Sequence, residues 1–176
     1  KSMKIKFFKT IILLFSFSLL IGCENNNDTK SNTYVVATDA TLPPMSFMSV
    51  GNDMIGFEPD LIRAIGNKAG FNLQLVNVEW AGLFGGLITK KFDMIISSVT
   101  VLEERKQRMS FSSPYLKSGL TLVVRKDQQN IMSFEDAKKS NALIGAQVGT
   151  TSYYFLKKES SVQTKGYQMY GHAITD

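Results

Sequence analysis

The sequence predicts an α/β fold, a sheet covered by helices on both faces, and three observations carry that expectation. Short apolar or alternating segments recur along the chain, with helical patterns between them. Gly and Pro punctuate the joins, at Pro43, Pro44, Pro59 and Gly70. The composition, 44% hydrophobic and 20% charged over 176 residues, supplies enough apolar surface for a packed core.

The elements follow in order. Tyr34 to Thr38 (YVVAT) reads as a strand. Asp39 to Met48 reads as a loop, because Pro43 and Pro44 exclude regular helix. Pro59 to Lys68 predicts a helix, with Pro in the first turn, Asp60 at the positive end and Leu61, Ile62 and Ile65 on one face. Gly70 ends it. Phe71 to Val78 alternates and predicts a strand, and Trp80 to Thr89 a second helix weakened by Gly85 and Gly86. Phe92, Met94, Ile95 and Ile96 predict a short buried strand. Arg105 falls on a helix running to about Met109. Ser118 to Arg125 (SGLTLVVR) predicts a strand, and Ser133 caps a helix to about Lys139, with Asp136 completing a capping-box-like start. Leu143 to Ala146 predicts another strand, Gly149 to Ser152 open a helix bearing Tyr154, Phe155 and Leu156, and residues 162–170 suggest a last strand.

The N-terminus reads differently. Lys1, Lys4, Lys6 and Lys9 precede an apolar run from Ile11 to Ile21, and Leu20-Ile21-Gly22-Cys23 closes it. A basic start, a short apolar core and small residues at its end predict a secretory signal over 1–22, too short for a comfortable membrane span. Residues 23–32 are polar and lack apolar periodicity, so they predict a flexible tether. Met3 fits a translation start, with Lys1 and Ser2 upstream of it.

This leader changes the charge argument. The chain has 20 basic and 15 acidic residues, but the four leader lysines account for most of the excess. The rest is nearly neutral and gives no support to nucleic-acid binding. Cys23 is the one cysteine and His172 the one histidine, so the sequence predicts no intramolecular disulfide, no cysteine zinc site, no histidine triad and no clustered metal site.

The chemistry concentrates between Phe92 and Tyr115. An apolar strand is followed by Ser97, Ser98 and Thr100, then by Arg105. Arg offers a bidentate fork to a small carboxylate, and hydroxyls and backbone N–H groups add hydrogen bonds. Ligands of open α/β sheets bind beyond the carboxyl ends of the strands, where these residues fall. Loops carrying Asp39 and Thr41, and Glu79 and Trp80, should meet them at the same rim. Gly149-Thr150-Thr151 opens a helix and offers a further anion site. The same residues also fit blander roles: a solvated helix face around Arg105, turn-forming serines, and a plain helix cap at Thr150.

Five segments taken in order, VATDATLPPMSF, GFEPDLIRAIG, WAGLFGGLITKKFDMIISSVT, ERKQRMSFSSPYLKSGLTLVV and GAQVGTTS, resemble the bacterial extracellular solute-binding proteins of family 3, the polar amino-acid receptors of ABC importers. The likeness runs from about Tyr34 to the end. It implies a periplasmic-binding-protein-like fold of two α/β lobes closing on one amino acid, with lobe 1 over 33–124 and part of lobe 2 over 125–176. By the same resemblance Arg105 binds the ligand α-carboxylate with help from Thr100 and Thr151, backbone around Ser98 meets the α-ammonium, Asp39 lies near the ligand side chain and Trp80 forms an aromatic wall. Leu20-Ile21-Gly22-Cys23 resembles a lipobox, which implies acylation of Cys23 and a lipid-anchored, extracytoplasmic receptor. An ABC permease in the cytoplasmic membrane is the implied partner, and the receptor itself is a monomer with no cofactor.

Departures from the pattern qualify these roles. Leu42 stands where an aromatic is usual, Pro59 interrupts the acidic helix start, and Leu102 replaces a capping threonine before the Arg105 helix. The family's second-lobe acid for the ammonium has no match before Asp176, so the resemblance implies a second lobe that is only partial, and weak ligand binding. Two other functions share the fold: a cyclohexadienyl dehydratase-like enzyme, whose acid would be Glu79 or Asp39, and a ligand-sensing domain.

Overall fold

A computed structural model describes residues 32–176. The basic leader, Cys23 and the tether up to residue 31 lie outside the described residues.

The first sheet is parallel, with β1 (Thr33–Thr38) between β5 (Asn72–Asn77) and β6 (Met94–Ile95). Val36 aligns with Leu75 on one side and with Met94 on the other. Strand alternation divides the apolar residues between two faces. Val36, Leu73, Leu75 and Met94 meet Leu61 and Ile62 of helix α1 (Phe57–Ala69), together with Ile96. Val35, Ala37, Val76 and Ile95 meet Leu83 and Leu87 of helix α2 (Trp80–Ile88), together with Phe92. Val36, Ala37 and Leu83 are fully buried. The sheet is thus covered on both faces, as the alternation predicts.

Helix α1 starts where its sequence signals place it. Glu58 and Asp60 occupy the positive end, and Gly70 closes it in the left-handed conformation (φ 75°), its N–H bonded to the Gly66 carbonyl. The amides of Phe57 and Glu58 donate to the carbonyls of Pro44 and Met45, so the preceding loop anchors the helix start. That loop is more ordered than expected. It forms a small antiparallel sheet of β2 (Thr41–Leu42), β3 (Ser46–Met48) and β4 (Met54–Ile55). Pro43 and Pro44 exclude helix, but they sit in the turn between β2 and β3, where no ladder donor is required.

After a single helical turn, α3 (Glu103–Lys106), the chain runs without regular structure to α4 (Phe134–Lys139). The helix expected to reach Met109 therefore stops earlier. The amides of Arg108 and Met109 both turn onto the Arg105 carbonyl, and Leu102 at its start provides no side-chain cap. The strand expected over Ser118–Arg125 does not form either. Leu120, Val123 and Val124 are 53%, 72% and 40% exposed. Its local β propensity is real, but the segment pairs with none of the described strands, and a strand without a paired edge leaves its backbone to solvent.

The second sheet pairs β7 (Leu143–Gln147) and β8 (Gln163–Tyr167) in parallel, connected through α5 (Thr151–Lys158). Ala146, Leu156 and Val162 form its core, with Phe134, Ile144 and Tyr153 packed against them. Strand β8 ends at Tyr167, short of the expected 170, because the chain turns into α6 (Tyr170–Thr175), which packs on both strands.

Candidate functional site

Because the first sheet is parallel, the residues after β1, β5 and β6 emerge along one edge, the usual position for a ligand site. Hydrogen bonds tie these exits together. The Asp39 amide donates to Ser97 Oγ (3.0 Å). The Asp39 carboxylate accepts from Thr41 Oγ1 (2.8 Å) and from the Trp80 amide (3.0 Å). Asp39 thereby satisfies a free N–H at the start of α2 and faces its positive dipole end. Glu79, which precedes that helix, supplies no side-chain cap and is exposed.

Arg105 is the centre of the arrangement. It is only 9% exposed although it lies on a one-turn surface helix. Its Nη1 donates to the Thr100 carbonyl (2.9 Å) and its Nη2 to the Gly149 carbonyl (3.1 Å). The guanidinium carbon stands 4.9 Å from the Phe84 ring centroid and 5.7 Å from that of Trp80, and these two rings meet edge to face. Burial pushes the guanidinium below its ordinary pKa, against smaller opposing influences of Tyr154 and Glu104. It stays a cation, since guanidinium does not deprotonate in proteins. Ion pairs among the described residues involve other side chains, not Arg105. A buried cation held by two carbonyls and two ring faces, with N–H donors to spare, is arranged to receive an anion.

The surroundings suit one. Thr151 Oγ1, in the first turn of α5, donates to Thr100 Oγ1 (2.8 Å). Trp80 Nε1 is buried and has no hydrogen-bond partner among the described residues. Gly149 permits this closeness. It takes φ 80°, and a Cβ there would stand 3.4 Å from Trp80 Nε1.

Two predicted site residues are otherwise engaged. Thr150 caps α5: its Oγ1 accepts from the Tyr153 amide and donates to the Gln147 carbonyl (2.7 Å). Ser98 has both its donors on Glu58, with its N–H at 2.5 Å and its Oγ at 2.9 Å from Oε1. The residues brought into mutual contact are Asp39, Trp80, Thr100, Arg105 and Thr151. Phe84 and the Gly149 carbonyl, both against the guanidinium, were not singled out by sequence. A phenylalanine in an apolar helix reads as core, and a carbonyl carries no sequence signal.

Residues 34–167 match the family of bacterial extracellular solute-binding proteins, family 3. The chain is similar to a probable amino-acid-binding protein of Bacillus subtilis, at 32% identity over 77% of this chain and 52% of that protein. It is also similar to the arginine-binding periplasmic protein of Mannheimia haemolytica, at 29% identity over 90% of this chain and 63% of that protein. Among solved structures it resembles an ancestral arginine-binding protein bound to glutamine (TM-score 0.76, 34% identity, 82% of this chain and 64% of that one). An ancestral amino-acid-binding protein described as a precursor of cyclohexadienyl dehydratase is similar too (TM-score 0.77, 34% identity, 83% and 65%). The chain spans between 42% and 63% of the length of the curated relatives it matches. It carries parts of a periplasmic-binding-protein-like α/β fold, and it belongs to the bacterial extracellular solute-binding proteins, family 3.

Proposed function

We propose that this chain is the ligand-binding part of an extracytoplasmic, lipid-anchored receptor that captures a polar amino acid for an ABC importer. The observation that carries the reading is Arg105, a buried cation in no ion pair among the described residues, next to the hydroxyls of Thr100 and Thr151. Its fork would take the α-carboxylate, with the Trp80 N–H as an additional nearby donor. The backbone around Ser98 would meet the α-ammonium, and Asp39 and Trp80 would border the side chain. In this reading residues 33–124 belong to lobe 1 and 125–176 to lobe 2. The bonds from Arg105 and Thr151 then run between lobes and would tighten on closure. Residues 1–22 would be removed as a signal and Cys23 acylated, with 24–32 as the tether.

The named relatives are amino-acid-binding proteins, which favours binding over chemistry here. A dehydratase would need a positioned acid, whereas Asp39 is committed to Thr41 and Trp80 and Glu79 is exposed. A thermal-shift screen against the common amino acids tests the proposal. A ligand at about one hundred times its dissociation constant adds roughly 2.7 kcal/mol of stability. The expected result is a shift with one polar class and none with amines lacking the carboxylate. Turnover of prephenate, or no shift with any amino acid, would contradict it.

A further inference from the structure

Outside the ligand contacts, the least expected group in the molecule is Glu58. Its carboxylate is 1% exposed and takes part in none of the ion pairs among the described residues. One oxygen, Oε1, receives three donors: the Ser98 amide (2.5 Å), Ser98 Oγ (2.9 Å) and the Tyr115 hydroxyl (2.5 Å). A buried carboxylate persists only when its acceptor capacity is well used, and here Glu58, in the first turn of α1, takes three donors on one oxygen. Ser98, on which two of these bonds fall, has φ 49°, the left-handed region that non-glycine residues rarely adopt. Such a conformation is kept only where the surroundings over-determine it. The rest of the turn is fixed from the other side. Ser97 Oγ accepts the Asp39 amide, the Thr100 carbonyl takes Arg105, and the Thr100 hydroxyl takes Thr151. Glu58 therefore anchors, from outside the ligand-site residues, a turn that those residues otherwise hold.

We propose that Glu58, with Tyr115, is a positioning pair that holds the Ser98 turn in its left-handed conformation and so sets the ammonium-facing backbone and the Thr100 hydroxyl for an amino-acid ligand. The inference rests on the receptor reading above. Glu58 touches no ligand in it and acts through Ser98. Tyr115 joins the otherwise irregular segment after α3 to this anchor, with its ring 6.2 Å from that of Phe57. Burial, then the Glu58 hydrogen bond, raise the Tyr115 phenol, so it stays a donor at neutral pH.

The test uses the full chain, with Glu58→Gln, Tyr115→Phe and, as a control on an exposed acid, Glu103→Gln. L-Arginine and L-glutamine serve as probes in calorimetric titrations. Amide exchange at Ser98, measured without ligand, is the second readout. Glu58→Gln is expected to lose about tenfold or more in affinity and to unprotect the Ser98 amide while the chain remains folded by circular dichroism. Tyr115→Phe should do the same to a smaller degree, and Glu103→Gln should match the parent. Affinity of Glu58→Gln within twofold of the parent, or a Ser98 amide that is unprotected in the parent or still protected in Glu58→Gln, would overturn the positioning role while leaving the receptor reading intact. Failure of the parent to bind either probe, if the wider amino-acid screen is also blank, would overturn both. Should Glu58→Gln not fold, Tyr115→Phe alone decides, an unchanged affinity and Ser98 exchange rate counting against the pair.

Discussion

Threonines 150 and 151 are adjacent and chemically identical, yet their hydroxyls do different work. Thr150 Oγ1 serves its own helix as N-cap, while Thr151 Oγ1 reaches Thr100. Thr150→Ala should therefore lower stability by about 1 kcal/mol, the usual loss for such a cap, as read by denaturant midpoint. Thr151→Ala should leave the midpoint nearly unchanged and weaken amino-acid binding. An equal midpoint loss in both variants would contradict the division. At this scale the sequence was informative about donors and poor about their partners. Arg105, Thr100 and Thr151 are recognisable because a guanidinium and hydroxyls near strand ends suit a carboxylate. Glu58 was legible only as a helix-start acid. Its partners Ser98 and Tyr115 lie 40 and 57 positions away, and no local pattern announces such bonds.

Helix α2 places two glycines side by side with opposite tolerances. A Cβ on Gly85 would meet nothing within 4 Å, whereas one on Gly86 would come within 2.3 Å of the buried Phe92 ring. Gly85→Ala should stabilise the chain by about 0.5–1 kcal/mol through helix propensity. Gly86→Ala gains the same propensity but overpacks the face around Leu83 and Phe92, a strain of about 1–3 kcal/mol, so its net effect should be destabilising. Thermal melts of the pair decide it, and a rise in both would contradict the packing. The cap of α4 supplies a pH test. The Ser133 hydroxyl first, then the Met132 amide, hold the Asp136 carboxyl below the usual carboxylate range. A depressed folded-state pKa stabilises at pH above the unfolded value and is lost as pH falls through the folded one. Asp136→Asn should thus flatten the acid limb of the stability curve and change little below it. Element reading from sequence succeeded where caps and period agreed, as at Gly70 and Ser133. It failed at 118–125, where propensity was right but the pairing edge a strand needs is a tertiary fact.

At the scale of the molecule, two parallel sheets, each with its own apolar core, meet through Arg105, Thr151 and a hydrogen bond from the Tyr170 hydroxyl to the Thr41 carbonyl (2.6 Å). The irregular segment between α3 and α4 exposes the apolar side chains of Leu116, Leu120, Val123 and Val124. Exposed β-forming residues with no strand partner among the described residues favour association. Sedimentation should show self-association rising with concentration, reduced in a Leu120→Lys, Val123→Lys variant. Identical behaviour of parent and variant would count against this segment as the cause. The α/β class and its order of elements could be read from alternation and turn residues. The joining contacts could not, since they link residues more than forty positions apart, two of the three through backbone carbonyls.

The central claim is that Arg105 anchors the carboxylate of an amino acid. Calorimetric titration of L-arginine and of its decarboxylated amine, agmatine, into the parent and Arg105→Ala tests it most directly. The account predicts that the parent prefers the amino acid and that Arg105→Ala costs about 2–5 kcal/mol of its binding and abolishes the preference. Equal binding of both compounds by the parent, or near-parental affinity in Arg105→Ala, would contradict it.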